Sequence, residues 1–201
     1  MNKIAIYGGT FNPIHNGHIV SLQHLIDHKQ FSDVLMIPSG VSPFKRDIVE
    51  TVQNRLDMCQ LVTDVLIGVT LEDYETKSEE PSYTYKTLKY LSALKPDNKY
   101  FWTIGYDNLF QIETWYKGPE ILEQFGIILV NRGGYDREAA IAKQEALRRL
   151  YHTEFINIDI PNIEISSTDI RQRVKNKQSV VGYTLPSVIT YIEQNNLYQE
   201  D

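Results

Sequence analysis

Short apolar segments alternate along this chain with longer segments whose apolar residues recur at helical spacing. The pattern predicts six strands, at Lys3–Tyr7, Val34–Pro38, Ile67–Leu71, Tyr100–Ile104, Gly126–Val130 and Phe155–Ile158. Helices are predicted between them, at Asn16–His28, Val52–Asp64, Tyr83–Leu94, Pro119–Gln124 and Glu138–Leu150, with two more beginning at Thr168 and Pro186. Such alternation builds βαβ units and therefore a parallel sheet.

The strand segments are apolar along their whole length, as in the run GIILV at Gly126–Val130. Strands of this kind are buried on both faces. The sequence therefore predicts an α/β fold with a Rossmann-like open, mainly parallel sheet and helices on both faces. Two helix faces are predicted to point inward, and they are formed by Leu88, Leu91 and Leu94 and by Leu56, Cys59 and Val62 or Thr63.

Length, charge and cysteine content limit the class of protein. The 201 residues fit a single domain spanning 1–201, and the net charge of −6 argues against general nucleic-acid binding. No apolar run reaches the roughly 18 residues of a membrane helix, and no secretory signal is visible at the N-terminus. The lack of such a run predicts no membrane partner. The one cysteine, Cys59, is expected to be buried and reduced, which predicts a cytoplasmic protein.

Polar, basic and glycine residues cluster just after the predicted strands. Because the carboxyl ends of parallel strands meet at one edge of a sheet, these segments predict a ligand crevice there. They read GGTFNPIHNGH, SGVSPFKR, GYDN, TWYK, NRGG and ISSTDIR.

The first of these segments fits an anion-binding loop. Gly8 and Gly9 are predicted to allow a tight turn and close approach to a ligand, and the next helix offers N–H groups at its start. Neither G-x-G-x-x-G nor a Walker A sequence is present. His15 and His18 could face the crevice as phosphate contacts, could form half of a metal site, or could simply be exposed or hydrogen-bonded at the helix start.

Two motifs in this chain resemble those of a known superfamily. GGTFNPIHNGH is similar to the signature of the H-x-G-H nucleotidyltransferases, and Ile165–Arg171 (ISSTDIR) is similar to their second motif, I-S-S-T-x-x-R. The two lie about 150 residues apart and in the same order as in that superfamily. Taken alone, Ser166 and Asp169 also fit a helix capping box, which is compatible with a phosphate site.

Further segments resemble one branch, the bacterial nicotinate-mononucleotide adenylyltransferases. These segments are PSYTYKTL, GYDN followed by TWYK, and LPSVITYIEQNNLY, and the likeness covers nearly the whole chain but is weakest across 135–152. Two positions depart from the family pattern. Asn12 stands where Asp is frequent, and Phe44 replaces the histidine of a P-P-H-K loop whose lysine, Lys45, is kept.

The resemblance implies a nucleotidyltransferase fold and adenylyl transfer from ATP to nicotinate mononucleotide, giving deamido-NAD and pyrophosphate in NAD biosynthesis. The attacking phosphate is already an anion, so no general base is needed, and catalysis would rest on positioning and charge neutralisation. The implied catalytic residues are His15, His18, Lys45 and Arg171. The implied ATP-binding residues are Gly8, Gly9, Thr10, Phe11, His15, His18, Ser166, Ser167, Thr168 and Arg171, so that the helices from about residue 167 complete the ATP site.

The resemblance also implies a mononucleotide site formed by Asn12, Lys45, Tyr83, Thr84, Gly105, Asp107, Trp115 and Tyr116. Trp115 would stack on the pyridine ring, Asp107 would bind a ribose, and the helix start at Ser82 would hold the ring carboxylate. Local sequence alone would instead favour core positions for Trp115 and Tyr83. Mg²⁺ is implied as the companion of ATP, without a dedicated protein metal site.

Several alternatives stay open at this stage. The substrate could be nicotinamide mononucleotide or another phosphate compound, and the oligomeric state, a homo-oligomer included, is undetermined. From a different class, the chain could be a catalytically silent nucleotide-binding regulator or a structural α/β domain. The intact His15, His18, Lys45 and Arg171 argue against a silent protein, and the clustering of motifs after strands argues against a purely structural one.

Overall fold

The computed structural model of the chain describes residues 1–40, 50–78, 80–131 and 136–199. Its centre is a six-stranded sheet in the order β3-β2-β1-β4-β5-β6, and every neighbouring pair is parallel. The strands are β1 (Asn2–Gly9), β2 (Asp33–Pro38), β3 (Val69–Leu71), β4 (Asn98–Gly105), β5 (Gly126–Asn131) and β6 (Phe155–Asp159). The predicted α/β fold with a parallel sheet is confirmed.

Eight α-helices connect or follow the strands in the described part of the chain. They are α1 (Asn16–Asp27), α2 (Val52–Thr63), α3 (Thr84–Leu94), α4 (Tyr106–Leu109), α5 (Gly118–Gln124), α6 (Arg137–Tyr151), α7 (Ser167–Lys175) and α8 (Pro186–Gln194). Every predicted helix is present. The sequence did not predict α4 or the 3₁₀ helices Tyr74–Lys77 and Ile112–Thr114, because elements this short contain too few residues for a periodic pattern.

The sheet is covered on both faces, and the two faces carry separate apolar cores. Along β1 the side chains alternate, with Ala5 and Tyr7 in one core and Ile4 and Ile6 in the other. The first core includes residues of α1, α2 and α8, and the second includes residues of α3, α5 and α6. Cys59 lies in the first core, as predicted, and burial raises the pKa of its thiol.

The strand order changes direction beside β1. The chain runs outward from β1 to β2 and β3, and then returns to β4 on the other side of β1. In open α/β sheets this reversal opens a crevice at the carboxyl ends of the two central strands. Here those ends are Gly9 of β1 and Gly105 of β4.

Two predicted inward positions and one predicted strand boundary differ in the structure. Leu94 is the last residue of α3 and is 59% exposed. On α2 the buried face includes Arg55, while Leu56 is only half-buried. Ile67 is 91% exposed, and β3 begins two residues later. Among the described residues, no helix combines the length and apolar character that crossing a membrane requires.

Two leucines of α3 allow a matched test of this packing. Leu88→Ala should lower the free energy of unfolding by about 2–5 kcal/mol, since Leu88 is fully buried. Leu94→Ala should change it by no more than about 0.5 kcal/mol, since that side chain is mostly exposed. Urea denaturation of both variants measures the difference. Equal losses would contradict the assigned orientation of α3.

Candidate active site

The two motifs found in the sequence lie side by side at the carboxyl edge of the sheet. Arg171 of α7 donates from Nη1 to the carbonyl oxygen of Asn12 at 2.8 Å. Ser167, at the start of the same helix, donates from Oγ to the carbonyl oxygen of Pro13 at 2.8 Å. These contacts join segments more than 150 residues apart in sequence, so the first loop takes its shape together with α7.

Segments near the C-terminus supply two further donors to the first loop. The Thr184 hydroxyl donates to the carbonyl oxygen of Ile14 at 2.9 Å, and the Tyr198 hydroxyl donates to Oδ1 of Asn12 at 2.8 Å. Both bonds are buried. Burial also raises the pKa of the Tyr198 phenol, which keeps its hydroxyl protonated as a donor.

A buried arginine supports the loop from the side of α2. Arg55 is fully buried and donates from Nη1 to the carbonyl oxygen of Thr10 at 2.8 Å. Burial lowers the pKa of this guanidinium, since desolvation disfavours the charged form. Sequence reasoning missed Arg55, although its spacing from Cys59 and Val62 places all three on one helical face.

The two histidines meet at the N-terminus of α1. Their rings stack with centroids 3.7 Å apart, and the backbone N–H of His15 donates to Nδ1 of His18 at 3.3 Å. The ring of His18 also packs edge-on against Phe11, with centroids 5.0 Å apart. His15 is buried and is the N-cap residue of α1. The histidines therefore lie together where the helix N-terminus offers N–H groups.

The predicted phosphate-binding hydroxyls of α7 have partners within the protein. Ser166 and Asp169 form a capping box, as their spacing predicted, with the Ser166 hydroxyl accepting from the Asp169 N–H at 3.1 Å. The Thr168 hydroxyl accepts from Nη2 of Arg171 at 3.3 Å. The guanidinium of Arg171 is thereby oriented by both Thr168 and the first loop.

The glycine pair differs from the predicted tight turn. Gly8 and Gly9 are the last residues of β1, and the left-handed backbone conformation falls instead on Phe11, with φ of 48°. A Cβ on Gly8 would lie 2.5 Å from the Trp102 ring, and one on Gly9 would lie 2.8 Å from the Phe11 ring. The glycines are thus required because neighbouring aromatic rings pack against the backbone.

A cavity of about 550 Å³ opens beside β1 and β4. Its wall is built from the ends of both strands, the start of α3 and the segment that follows α4. Sixteen of the described residues line it: Gly8, Gly9, Thr10, Ser39, Glu75, Ser82, Tyr83, Thr84, Trp102, Thr103, Ile104, Asn108, Gln111, Thr114, Trp115 and Tyr116. The size and the mixture of aromatic and polar groups fit a small organic ligand.

Aromatic side chains form much of this cavity wall. Tyr83 and Tyr116 pack against each other with ring centroids 4.7 Å apart, and Trp115 is half-buried against the second core. Tyr83 and Trp115 both line the cavity and are both half-buried. A planar ring inserted here would meet aromatic faces.

Among the remaining predicted substrate residues, those that the structure describes do not line the cavity. Asn12 is a buried residue of the first loop, and Gly105 and Asp107 lie where β4 meets α4, outside the cavity lining. Lys45 falls outside the described residues. Their predicted contacts with substrate stay predictions.

Several residues of the cavity wall were not predicted. Ser39 Oγ and Thr103 Oγ1 are buried and have no hydrogen-bond partner in the described part of the chain. Glu75, Asn108 and Gln111 add a carboxyl and two amide groups. Serine, threonine and amide residues are common in loops and at strand ends, so only their position after β2 and β4 could have indicated a binding role.

No metal centre is formed by the described ranges. Within them, no group of three or more His, Cys, Asp or Glu side chains could hold a metal ion. The stacked pair of His15 and His18 therefore lacks a third ligand of these types there, and the zinc alternative gains no support.

Comparison with known proteins agrees with the fold. The model of the cytidylyltransferase-like family matches residues 6–173. A probable nicotinate-nucleotide adenylyltransferase of Caldicellulosiruptor saccharolyticus is 35% identical, over 98% of this chain and 100% of its own length. One of Carboxydothermus hydrogenoformans is 34% identical, over 98% of each chain.

A solved structure shares the fold. Nicotinic acid mononucleotide adenylyltransferase of Plasmodium falciparum, complexed with NaAD, superposes with a TM-score of 0.83 at 23% identity, over 100% of this chain and 99% of that one. The nucleotidyltransferase class of the fold is thereby confirmed. The chain belongs to the cytidylyltransferase-like family of nucleotidyltransferase enzymes, and within it to the nicotinate-nucleotide adenylyltransferases.

The Thr184 contact gives a test of how strongly the loop is held. Thr184→Val keeps the side-chain shape but removes the buried donor to Ile14, and it should lower the free energy of unfolding by about 1–3 kcal/mol. Thr70→Val, at an exposed position of β3, is the matched control and should cost no more than about 0.5 kcal/mol. Thermal or urea unfolding measures both. Equal stability of the two variants would show that the bond to Ile14 contributes nothing.

Proposed function

We propose that this protein transfers the adenylyl group of ATP to nicotinate mononucleotide, giving deamido-NAD and pyrophosphate. The observation that supports this most strongly is the joining of the two motifs, through Arg171 and Ser167, directly beside an aromatic-lined cavity. The curated relatives carry the name of this activity, and the Plasmodium falciparum enzyme was solved with NaAD. A triphosphate site and a ring-binding site would then lie next to each other.

The reaction exchanges one phosphoanhydride bond for another. A phosphate oxygen of the mononucleotide attacks the α-phosphorus of ATP, and the bond from that phosphorus to the bridging oxygen of the β-phosphate breaks. The electron pair leaves with pyrophosphate. Because the nucleophile is already anionic, the protein has to align the two phosphates and neutralise the negative charge that they bring together.

The triphosphate is proposed to lie at the N-terminus of α1, between the first loop and α7. His15 and His18 would contact the phosphates there and stabilise the departing pyrophosphate. Arg171 would hold the chain of phosphates as a planar donor. Gly8, Gly9, Thr10 and Phe11, together with Ser166, Ser167 and Thr168, are the other proposed ATP contacts, and Lys45 is proposed from the sequence alone.

Mg²⁺ is proposed to enter with ATP as part of that substrate. The described residues offer no cluster of metal-ligating side chains, so its ligands would be mainly phosphate oxygens and water. The bound ion would offset part of the negative charge of the triphosphate, and the protein residues would orient the complex.

The mononucleotide is proposed to occupy the cavity. Its pyridine ring would stack on Trp115, with Tyr116 and Tyr83 beside it, and the ring carboxylate would meet N–H groups at Tyr83 and Thr84, where α3 begins. Asn12, Gly105 and Asp107 are proposed to contact the ribose or phosphate. Nicotinamide mononucleotide is the alternative substrate, since it differs only by an amide in place of the carboxylate.

We further propose that residues 1–201 act as a single domain in which α7 and α8 complete the ATP site. The hydrogen bonds from α7 to the first loop support that arrangement. A cytoplasmic location is proposed because ATP is the substrate and the one cysteine, Cys59, is a buried free thiol. A homo-oligomer is compatible with these proposals.

Pyrophosphate release tests the activity directly. Purified protein with ATP, Mg²⁺ and nicotinate mononucleotide should release pyrophosphate, and nicotinamide mononucleotide should be the poorer substrate. A reaction without any mononucleotide controls for ATP hydrolysis. Absence of release with either mononucleotide would contradict the proposed function.

Loss of one histidine tests the phosphate role. His18→Ala should lower kcat by about 100-fold, the scale of one lost contact to developing charge. His24→Ala, further along the same helix with its ring bonded to the Val20 carbonyl oxygen, should keep kcat near the wild-type value. Steady-state kinetics at saturating ATP compares the two variants. An unchanged kcat for His18→Ala would place the phosphates elsewhere.

The tryptophan in the cavity tests ring stacking. Trp115→Ala should raise KM for nicotinate mononucleotide about tenfold or more while leaving KM for ATP unchanged, since stacking is worth about 1–3 kcal/mol per ring. Trp115→Phe keeps an aromatic face and should lose less. If only KM for ATP moved, Trp115 would belong to the other substrate.

A further inference from the structure

A buried carboxyl group stands in the cavity wall where the proposed mechanism assigns no acid. Glu75 belongs to the 3₁₀ helix Tyr74–Lys77, is only 6% exposed and lines the cavity. The charged side chains next to it, Asp73 and Lys77, instead pair with each other at the surface. Glu75 is therefore the residue of this helix whose charge points inward.

A hydroxyl group in the first turn of α3 binds this carboxyl. Thr87 donates from Oγ1 to Oε1 of Glu75 at 2.6 Å, and the nearby hydroxyl of Ser82, which precedes α3, acts to lower the pKa of the same carboxyl. Ser82 Oγ also accepts from the backbone N–H of Gly40 at 2.9 Å. Glu75 thus connects the end of β2, the 3₁₀ helix and the first turn of α3.

The backbone at Gly40, just after β2, packs closely against the backbone of the 3₁₀ helix at Glu75. A Cβ on Gly40 would lie 2.1 Å from the carbonyl oxygen of Glu75 and 3.4 Å from Ser82 Oγ. The relative position of the 3₁₀ helix and the segment after β2 is therefore closely fixed, and the carboxyl of Glu75 extends this fixed position to α3.

Electrostatics makes Glu75 an unexpected neighbour for an anionic substrate. In the described part of the chain no Lys, Arg or His forms a salt bridge with it. Burial raises the pKa of this carboxyl, against the opposing effect of its hydrogen bonds to Thr87 and Ser82. Burying an acid without a cation costs free energy, whereas a neutral apolar residue at this position would avoid that cost but could not accept the hydrogen bond of Thr87.

We propose that Glu75 is a positioning residue that sets the preference for a ring carboxylate over a ring carboxamide, by fixing Ser82 and Thr87 so that the N-terminus of α3 faces the ring substituent. The proposal rests on the proposed function of the cavity. A helix N-terminus favours a carboxylate, which is charged and accepts through two oxygens, over a neutral amide, which accepts through one. Loss of its orientation therefore weakens binding of the acid more than binding of the amide.

Three variants separate this role from a general loss of structure. Glu75→Ala removes the acceptor, Glu75→Gln keeps an acceptor oxygen without the charge, and Thr87→Val removes one donor. Asp73→Asn is the control, since it removes a carboxylate from the exposed side of the same segment. KM and kcat are measured with nicotinate mononucleotide, with ATP varied separately, and nicotinamide mononucleotide is tested as substrate or competitive inhibitor.

The substitutions are expected to weaken binding of nicotinate mononucleotide much more than binding of ATP or nicotinamide mononucleotide. Glu75→Ala and Thr87→Val should raise KM for nicotinate mononucleotide about tenfold, the scale of one lost buried hydrogen bond. KM for ATP, kcat, and the KM or inhibition constant of the amide should stay within about threefold of wild type, and Glu75→Gln should restore most of the acid affinity.

Other outcomes overturn the proposal. Glu75→Ala matching Asp73→Asn would show that Glu75 has no such role. Parallel losses for ATP, the acid and the amide would indicate a structural role only. Failure of Glu75→Gln to restore the acid affinity would contradict positioning through an acceptor. If wild-type protein processes neither mononucleotide, the proposed function fails, and that result is distinct from all of these.

Discussion

The shape of this site depends on hydrogen bonds that hold the carbonyl oxygens of the first loop. The oxygens of Thr10, Asn12, Pro13 and Ile14 each accept from a side chain of another segment. A carbonyl oxygen pointing into a phosphate site would repel the ligand, and a buried one without a donor would cost free energy. Turning these oxygens toward the protein meets both requirements, and it leaves the start of α1 with its histidines as the polar surface of the loop.

This arrangement explains why the two motifs must be distant in sequence yet adjacent in space. The strand order brings β1 to the centre of the sheet, and the chain has to complete β6 before α7 can return to the first loop. Arg171 and Ser167 then contribute to the fold of the loop as well as to the proposed chemistry. A substitution in α7 is therefore expected to affect both stability and ATP binding.

The sequence was sufficient for the sheet, most helices and the edge at which the site lies, because apolar periodicity reflects burial directly. It was insufficient where the role of a residue depends on a contact with a partner that is distant in sequence. Arg55 lies on a buried face because the Thr10 carbonyl needs a donor, and Gly8 is a glycine because Trp102 packs on it. Leu94 has the spacing of a core residue, but it is mostly exposed at the C-terminal end of α3.

The residues of the candidate site also fall into two groups: those that the sequence predicted and those that only the structure shows. His15, His18 and Arg171 were predicted as site residues because they lie in two short contiguous motifs that resemble those of the H-x-G-H nucleotidyltransferases. Glu75 could not be found in this way, because its partners Ser82 and Thr87 lie on another element and its neighbours in sequence are ordinary surface charges. The burial of Glu75 and its hydrogen-bond partner become visible only in the three-dimensional structure.

We propose that donors outside the nucleotide site, such as Thr184, determine how well the first loop binds phosphate. Calorimetric titration of Mg·ATP into the wild-type protein and the Thr184→Val variant, without mononucleotide, tests it most directly. The account predicts that Kd for Mg·ATP rises about five- to tenfold in the variant, because the released Ile14 carbonyl loosens the start of α1. An unchanged Kd in a folded Thr184→Val protein would contradict it.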